Sequence, residues 1–280
     1  GSIAAVAESA RNVSCVGAQP VAITNNLNFA SPETEIGYWQ LSTACEGISI
    51  ACEALETPVT GGNVSLYNES IDEEGNKKPI QPTPVIGMVG ILDNVKQAVS
   101  SGWKNINDEI WIIGSKDSGL TLGATSYLEY FHGQITGRPP SLNLIDEKLC
   151  QLFIRNGILN NLIISSHDVS DGGLAIALAE SCILSDKGAS INLIANERID
   201  SLLFSEGGSR IIFSISHMKK NEWLKFVSEE SKNFTDSIYV TKIGTVLQDT
   251  LKIKISDNII CDLKISSLAD KFNNGLSNNF

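Results

Sequence analysis

The segment Thr57-Pro-Val-Thr-Gly-Gly-Asn-Val-Ser-Leu-Tyr-Asn-Glu69 concentrates groups that could hold a ligand. Gly61 and Gly62 carry no β-carbon, so the backbone there can approach a partner closely. Asn63 offers a carbonyl oxygen and an amide donor, and Ser65 faces the same side if the segment is extended. Tyr67 and Asn68 continue the polar face. Two readings stay open on these residues. One is a structural glycine turn in which Asn63 bonds its own backbone. The other is a ligand loop, because a turn alone does not need this much hydrogen-bonding capacity.

Three further concentrations stand beside it. Asn25-Asn26-Leu27-Asn28 follows a short apolar run at residues 21–24 and reads as an Asx-rich turn at a strand end. His167-Asp168-Val169-Ser170-Asp171-Gly172-Gly173 lies between an apolar run and a helical pattern. Asp168 and Asp171 could cap that helix or hold a hard cation, with His167 as an orienter. A Ser-His-Asp hydrolase does not fit, because a triad draws its members from distant segments. Leu203-Phe204-Ser205-Glu206-Gly207-Gly208-Ser209-Arg210 reads as an anion nest or as a plain turn with a surface arginine. Neither GxxxxGK[ST] nor a strand-linked GxGxxG occurs.

The elements positioning these groups follow from periodicity. Residues 3–12 read as a helix, with no strand before it; the expectation is a fragment whose domain begins upstream. Pro32 and Glu33 open a long helix with an apolar stripe of Tyr38, Leu41, Cys45, Ile48, Cys52 and Leu55. The two asparagine-bearing segments therefore flank one helix, as ligand groups do at an α/β edge. Residues 69–82 read as an exposed hairpin. Residues 85–92 form a continuous apolar run, expected as a strand buried on both faces. Strands are expected at 109–114, 162–165, 189–194, 210–215, 238–246, 251–255 and 259–265. Helices are expected at 146–156, 174–184 and 219–229, and a frayed tail at 273–280. The domain boundary is placed at residues 99/100.

With 280 residues, 42% hydrophobic and 19% charged, the chain can bury a sizeable core in one large or two ordinary domains. A net charge of −11 argues against a general nucleic-acid or anionic-membrane surface. No apolar run approaches the roughly 20 residues that span a bilayer, and no signal-peptide pattern opens the sequence. Six scattered cysteines without a CxxC pair, and only three histidines, read as reduced core thiols in a cytoplasmic protein rather than as a zinc site.

Thr24-Asn25-Asn26-Leu27-Asn28-Phe29, Thr60 to Glu69 and Pro82-Thr-Pro-Val-Ile-Gly-Met-Val-Gly90 together resemble the phosphoribosylformylglycinamidine synthase family. His132-Gly133, Gly137-Arg138-Pro139-Pro140, the His167 to Gly173 run and Leu203-Phe-Ser-Glu206 with Ser209-Arg210 extend the resemblance in order over nearly the whole chain. The match is to the carboxy-terminal half of the synthetase subunit.

The resemblance implies an α+β, aminoimidazole ribonucleotide synthetase-like two-domain unit: an N-terminal α/β domain, truncated at its start, over 1–99, and a C-terminal α/β-sandwich domain over 100–280. It implies an ATP-dependent carbon-nitrogen ligase of de novo purine biosynthesis. Such an enzyme converts formylglycinamide ribonucleotide and glutamine-derived ammonia to formylglycinamidine ribonucleotide. By position, Asn25 and Gly62 match ATP-contacting residues, Asn63 a Mg2+ ligand and Ser65 a substrate contact. The implied partners are the N-terminal half of the same subunit, a glutaminase subunit or domain and a small accessory subunit. No catalytic residue falls in this chain, so alone it is expected to be inactive. The family usually has aspartate where Asn25 stands; asparagine keeps the acceptor oxygen and loses the charge. A non-catalytic nucleotide-binding half is the alternative, and a selenophosphate or thiamine-phosphate kinase type the rival within the superfamily.

Overall fold

Helix α2 (Glu35–Leu55) begins where Thr34 accepts a hydrogen bond from the Gly37 amide, satisfying one of the donors a helix start leaves unpaired. It ends at Glu56, whose left-handed backbone (φ 59°) returns its amide to the last helical carbonyls. Helix α1 (Ser2–Cys15) packs beside it. Together they cover one face of a three-stranded sheet ordered β2-β1-β5, from β1 (Gln19–Asn28), β2 (Val59–Ser65) and β5 (Thr83–Ile91). Strand β2 runs parallel to β1 and β5 antiparallel. Val6, Ala7 and Ala10 of α1 meet Ile48, Ala51, Cys52 and Leu55 of α2 over Ile23 and Leu27. Each large side chain so buried contributes roughly 1.5–3 kcal/mol. A separate hairpin of β3 (Glu69–Ile71) and β4 (Lys77–Pro79) projects from this unit.

The structure is a computed structural model that describes residues 1–194 and 198–275. The second unit is a three-layer sandwich. Its strands are β6 (Glu109–Ser115), β7 (Ile163–Asp168), β8 (Gly188–Leu193), β9 (Ile211–Ile215), β10 (Ile238–Leu247), β11 (Thr250–Ile255) and β12 (Asn258–Lys264). They form one sheet ordered β12-β11-β8-β10-β6-β9-β7. Alternation in β6 sends Ile110 and Ile112 to one core and Trp111 and Ile113 to the other. Helices α4 (Leu144–Leu159) and α7 (Lys220–Glu230) cover the second of these faces. Helices α5 (Gly173–Ser185), α6 (Ile199–Phe204) and α8 (Ile265–Asn274) cover the first. Helix α3 (Ser126–His132) lies on a connecting segment. The architecture is α+β in two units, and α1 of the first packs on α4 of the second.

Several expectations are corrected. The Gly61-Gly62 stretch is the middle of a strand and not a turn, and the asparagine run is the second half of β1. Strand β5 is not buried on both faces: Pro84, Ile86 and Met88 turn inward while Val85 and Val89 are half-exposed. Its apolar content reflects an open sheet face rather than a central position. Cys45 is exposed and not on the buried stripe, where Ala44, Gly47 and Ile48 stand instead. Helices α6 and α8 were not expected. The first has six residues, too few for a period, and the second follows β12 with no breaker between them. Of the expected tail, 273–274 are helical, 275 follows α8 and 276–280 lie outside the described residues. All six cysteines are free thiols.

Candidate functional site

The polar ribbon is built by register. Parallel pairing sets Asn25 against Gly62, Asn26 against Asn63 and Asn28 against Ser65. Because side chains alternate, Asn26, Asn63 and Ser65 share the face that the helices leave open, together with Thr24, Val85 and Val89. Asn25 falls between Ile23 and Leu27 on the helix-covered face. There it lines a cavity of about 540 Å3 with Cys45, Cys52, Glu53, Pro58 and Val59. The structure thus brings Asn26, Asn63 and Ser65 together and sets Asn25 on the other side of the sheet.

Bonds hold the open-face groups. The Asn63 amide nitrogen donates to Asn26 Oδ1 at 3.1 Å. Ser65 Oγ donates to Asn68 Oδ1 at 3.1 Å, and Asn68 Nδ2 donates to the carbonyls of Ser65 (2.8 Å) and Phe29 (3.2 Å). Asn68 is therefore a strap fixing the strand end, whereas the Ser65 hydroxyl keeps acceptor capacity. Tyr67, in left-handed backbone (φ 58°), donates its hydroxyl to Glu33 at 3.1 Å. The carbonyl oxygen of Asn63 accepts no hydrogen bond from the described residues. Among the described residues no three His, Cys, Asp or Glu side chains cluster to hold a metal. The donor set here is neutral oxygen, suited to one position on a hard cation whose other ligands are phosphate oxygens and water.

The other polar concentrations form a buried layer between the units. Arg11 of α1 donates to both carboxylate oxygens of Glu147 in α4, at 2.9 and 3.0 Å. Ser209 and Gln151 also donate to Glu147, at 2.7 and 2.8 Å. Arg11 Nε lies 4.0 Å from Asp168 Oδ2. His167 is bonded on both sides, through Nδ1 to the Asp168 carbonyl (2.7 Å) and through Nε2 to Glu180 (3.2 Å). Burial pulls its pKa down, but hydrogen bonds to Asp168 and Glu180 outweigh this and raise it to about 9. Burial pushes Asp168 up, and His167 and Arg11 hold it below its ordinary value.

Neither Asp168 nor Asp171 caps α5. Glu206 takes that place, accepting the amides of Gly172 (2.7 Å) and of Ser126 in α3 (2.9 Å). Arg210 is not on the surface: it is buried and donates to the carbonyls of Ser205 and Gly207. Burial lowers its pKa to about 10. Arg11, Glu147 and Gln151 were missed from the sequence. Their signal was a charged residue on the apolar face of each helix, Arg11 four after Ala7 and Glu147 three before Cys150.

No helix among the described residues is long and apolar enough to cross a membrane. Residues 1–92 match the family described as AIR synthase related protein, N-terminal domain, and residues 105–250 its C-terminal domain. The chain is 67% identical over 281 aligned residues to phosphoribosylformylglycinamidine synthase subunit PurL of Prochlorococcus marinus strain AS9601. That alignment covers all of this chain and 36% of the relative, so the chain spans about a third of the relative's length. Among solved structures, T. maritima PurL complexed with FGAR is similar with TM-score 0.69 at 17% identity, over 96% of this chain and 42% of that one. T. maritima PurL complexed with ATP gives TM-score 0.67 at 17% identity, over 96% and 41%. The structure of PurLQS from Thermotoga maritima gives 0.65 at 18% identity, over 95% and 41%. At these identities the structures speak for the fold alone.

Proposed function

The chain belongs to the AIR synthase related protein family, carrying its N-terminal and C-terminal domains, and on that footing we propose that it is the second half of the synthetase subunit of a phosphoribosylformylglycinamidine synthase. The whole enzyme would use ATP and glutamine-derived ammonia to convert formylglycinamide ribonucleotide to formylglycinamidine ribonucleotide. The observation that carries this reading is the 67% identity to PurL along the full chain. The units divide at 99/100, and the protein works in the cytoplasm.

Within this half, Asn25 and Gly62 contact ATP, Asn63 ligates Mg2+ and Ser65 contacts the substrate through its free acceptor lone pairs. Strand β2 is a sheet edge paired only with β1, and its outer edge along Gly61 to Asn63 is where a ligand can reach both faces. Mg2+, when bound, neutralises phosphate charge. Phosphoryl transfer asks the protein for positioning and charge neutralisation rather than a nucleophile.

His167 is engaged at both ring nitrogens, so it is not available as a general base. That favours a supporting role: this half binds nucleotide while the reacting centre is completed elsewhere in the subunit. The open sheet face bearing Val85 and Val89, each at least half exposed, suits the N-terminal half of the same subunit as its cover. A glutaminase and a small accessory subunit complete the assembly.

The test is Asn63→Ala in the full-length subunit. Ammonia- and ATP-dependent turnover falls while the thermal unfolding curve is retained. Unchanged steady-state kinetics across the Mg2+ range would remove the site assignment.

A further inference from the structure

We infer that Asn68 is a positioning residue that fixes the Ser65 hydroxyl as a hydrogen-bond acceptor, so that Ser65 selects an N–H or O–H group of the substrate and turns away its phosphate; this rests on the reading of Ser65 as a substrate contact. A serine hydroxyl ordinarily rotates to donate or to accept as its partner requires. Here the rotation is set by three bonds. Asn68 Nδ2 donates to the backbone carbonyls of Ser65 at 2.8 Å and of Phe29 at 3.2 Å. Carbonyl oxygens only accept, so the Asn68 amide cannot invert without setting its own oxygen against both of them. Oδ1 is thereby held toward Ser65, whose hydroxyl lies 3.1 Å away. An amide oxygen also only accepts, so the Ser65 proton is committed to it. What Ser65 then shows a ligand is its lone pairs.

The carbonyls that orient Asn68 are themselves fixed. The Ser65 carbonyl accepts the Phe29 amide at 3.0 Å, and the Phe29 carbonyl accepts the Asn68 amide at 3.2 Å. The Asn68 carbonyl in turn accepts the Ile80 amide at 3.1 Å, so the base of the β3–β4 hairpin closes on the same residue. Ser65, the last residue of β2, is half-buried, and so is Asn68. Among the described residues the Ser65 hydroxyl has no other hydrogen-bond partner. An ionised phosphate offers no proton to its lone pairs and is repelled by them, whereas an amide N–H or a sugar hydroxyl completes them. A strap alone needs only the Asn68 NH2; the oxygen at its other end is what gives Ser65 a fixed polarity.

The experiment uses the full-length subunit, with binding of formylglycinamide ribonucleotide followed by titration calorimetry. Ser65→Ala is expected to weaken binding about three- to tenfold, the value of one lost hydrogen bond. Asn68→Ala is expected to weaken it about two- to fourfold, because the freed hydroxyl must be turned back to accept. It should add nothing in the Ser65→Ala background, since the two residues act as a unit. Asn68→Asp loses the strap as Asn68→Ala does but keeps an acceptor for the hydroxyl. It is expected to bind as tightly as the parent, while the thermal midpoint falls alike in both variants. Ribose 5-phosphate, which carries sugar hydroxyls without the amides, tells the two donors apart. Weaker binding of it in Ser65→Ala assigns the contact to a hydroxyl, unchanged binding assigns it to an amide N–H, and both support the inference. Tighter or unchanged nucleotide binding in Asn68→Ala, with binding weakened in Ser65→Ala, overturns the inference and leaves the substrate contact standing, because the hydroxyl then donates. Equal weakening in Asn68→Asp and Asn68→Ala, or further weakening by Asn68→Ala in the Ser65→Ala background, overturns it as well, because the strap alone then matters. Parent-like binding in Ser65→Ala removes the substrate assignment and the inference with it.

Discussion

Asn25 and Gly62 fit together as a lock: a β-carbon on Gly62 would overlap the Asn25 side-chain oxygen and its backbone carbonyl. The neighbouring Gly61 has open space where its β-carbon would stand. Adjacent glycines in one strand thus have different reasons to be there. Gly62→Ala is expected to destabilise the protein by about 1–3 kcal/mol, the usual cost of overpacking. Gly61→Ala is expected to stay within about 0.5 kcal/mol of the parent. Urea unfolding of the two variants separates them, and equal midpoints would contradict the fit.

Arg11 and Glu147 join the two units through a buried pair. Removing one member strands the other charge away from water. Arg11→Ala should therefore cost about 3–5 kcal/mol, measured as a shift in the chemical denaturation midpoint. The exposed pair Lys225–Glu229 is the control; Lys225→Ala should change stability by less than about 0.5 kcal/mol.

His167 predicts a pH dependence with a definite sign. Its folded pKa, about 9, lies above the ordinary value of 6.5. The protonated ring is the form the fold favours. Its contribution is complete below about pH 6.5, on the order of 3 kcal/mol, and is lost as pH rises through 9. His167→Gln should flatten the stability profile between pH 6.5 and about 9. Comparing variant with parent at each pH cancels the buried thiols, which titrate at higher pH.

Glu206 holds the starts of α3 and α5 with one carboxylate oxygen. Glu206→Ala should cost about 1–2 kcal/mol, the range of a lost helix cap. Hydrogen exchange at the Gly172 and Ser126 amides should quicken together. Faster exchange at only one of them would show that the carboxylate does not serve both.

How far the sequence spoke can be argued residue by residue. Most strands of the second unit, and its helices α4, α5 and α7, announced themselves through apolar runs, whereas α3, α6 and α8 carried no such signal. The polar segments around Asn25 and Asn63 were found, but their shape was misread. Glycine pairs usually punctuate, and only the register with Asn25 reveals that Gly62 serves close packing inside a strand. The face on which each asparagine lies was likewise invisible, because it depends on pairing between segments more than thirty residues apart. Arg11 and Glu147 were legible in principle as charges on apolar helix faces, yet neither helix names its partner. Open and covered faces of β5 could not be told apart from composition, since an uncovered sheet face can be as apolar as a core.

The parallel pairing of β1 and β2 has a consequence for chain length. Two parallel strands cannot be joined by a tight turn, so the crossover through α2 measures out where β2 begins. Glu56 and the fully buried Thr57 fix its last step. A single residue inserted or deleted at 56–58 would advance β2 by one place and exchange its faces. Asn63 would then point under the helices and Gly62 would look outward. The connection therefore acts as a ruler: substitutions along the exposed side of α2 can accumulate freely, but its count of residues cannot drift.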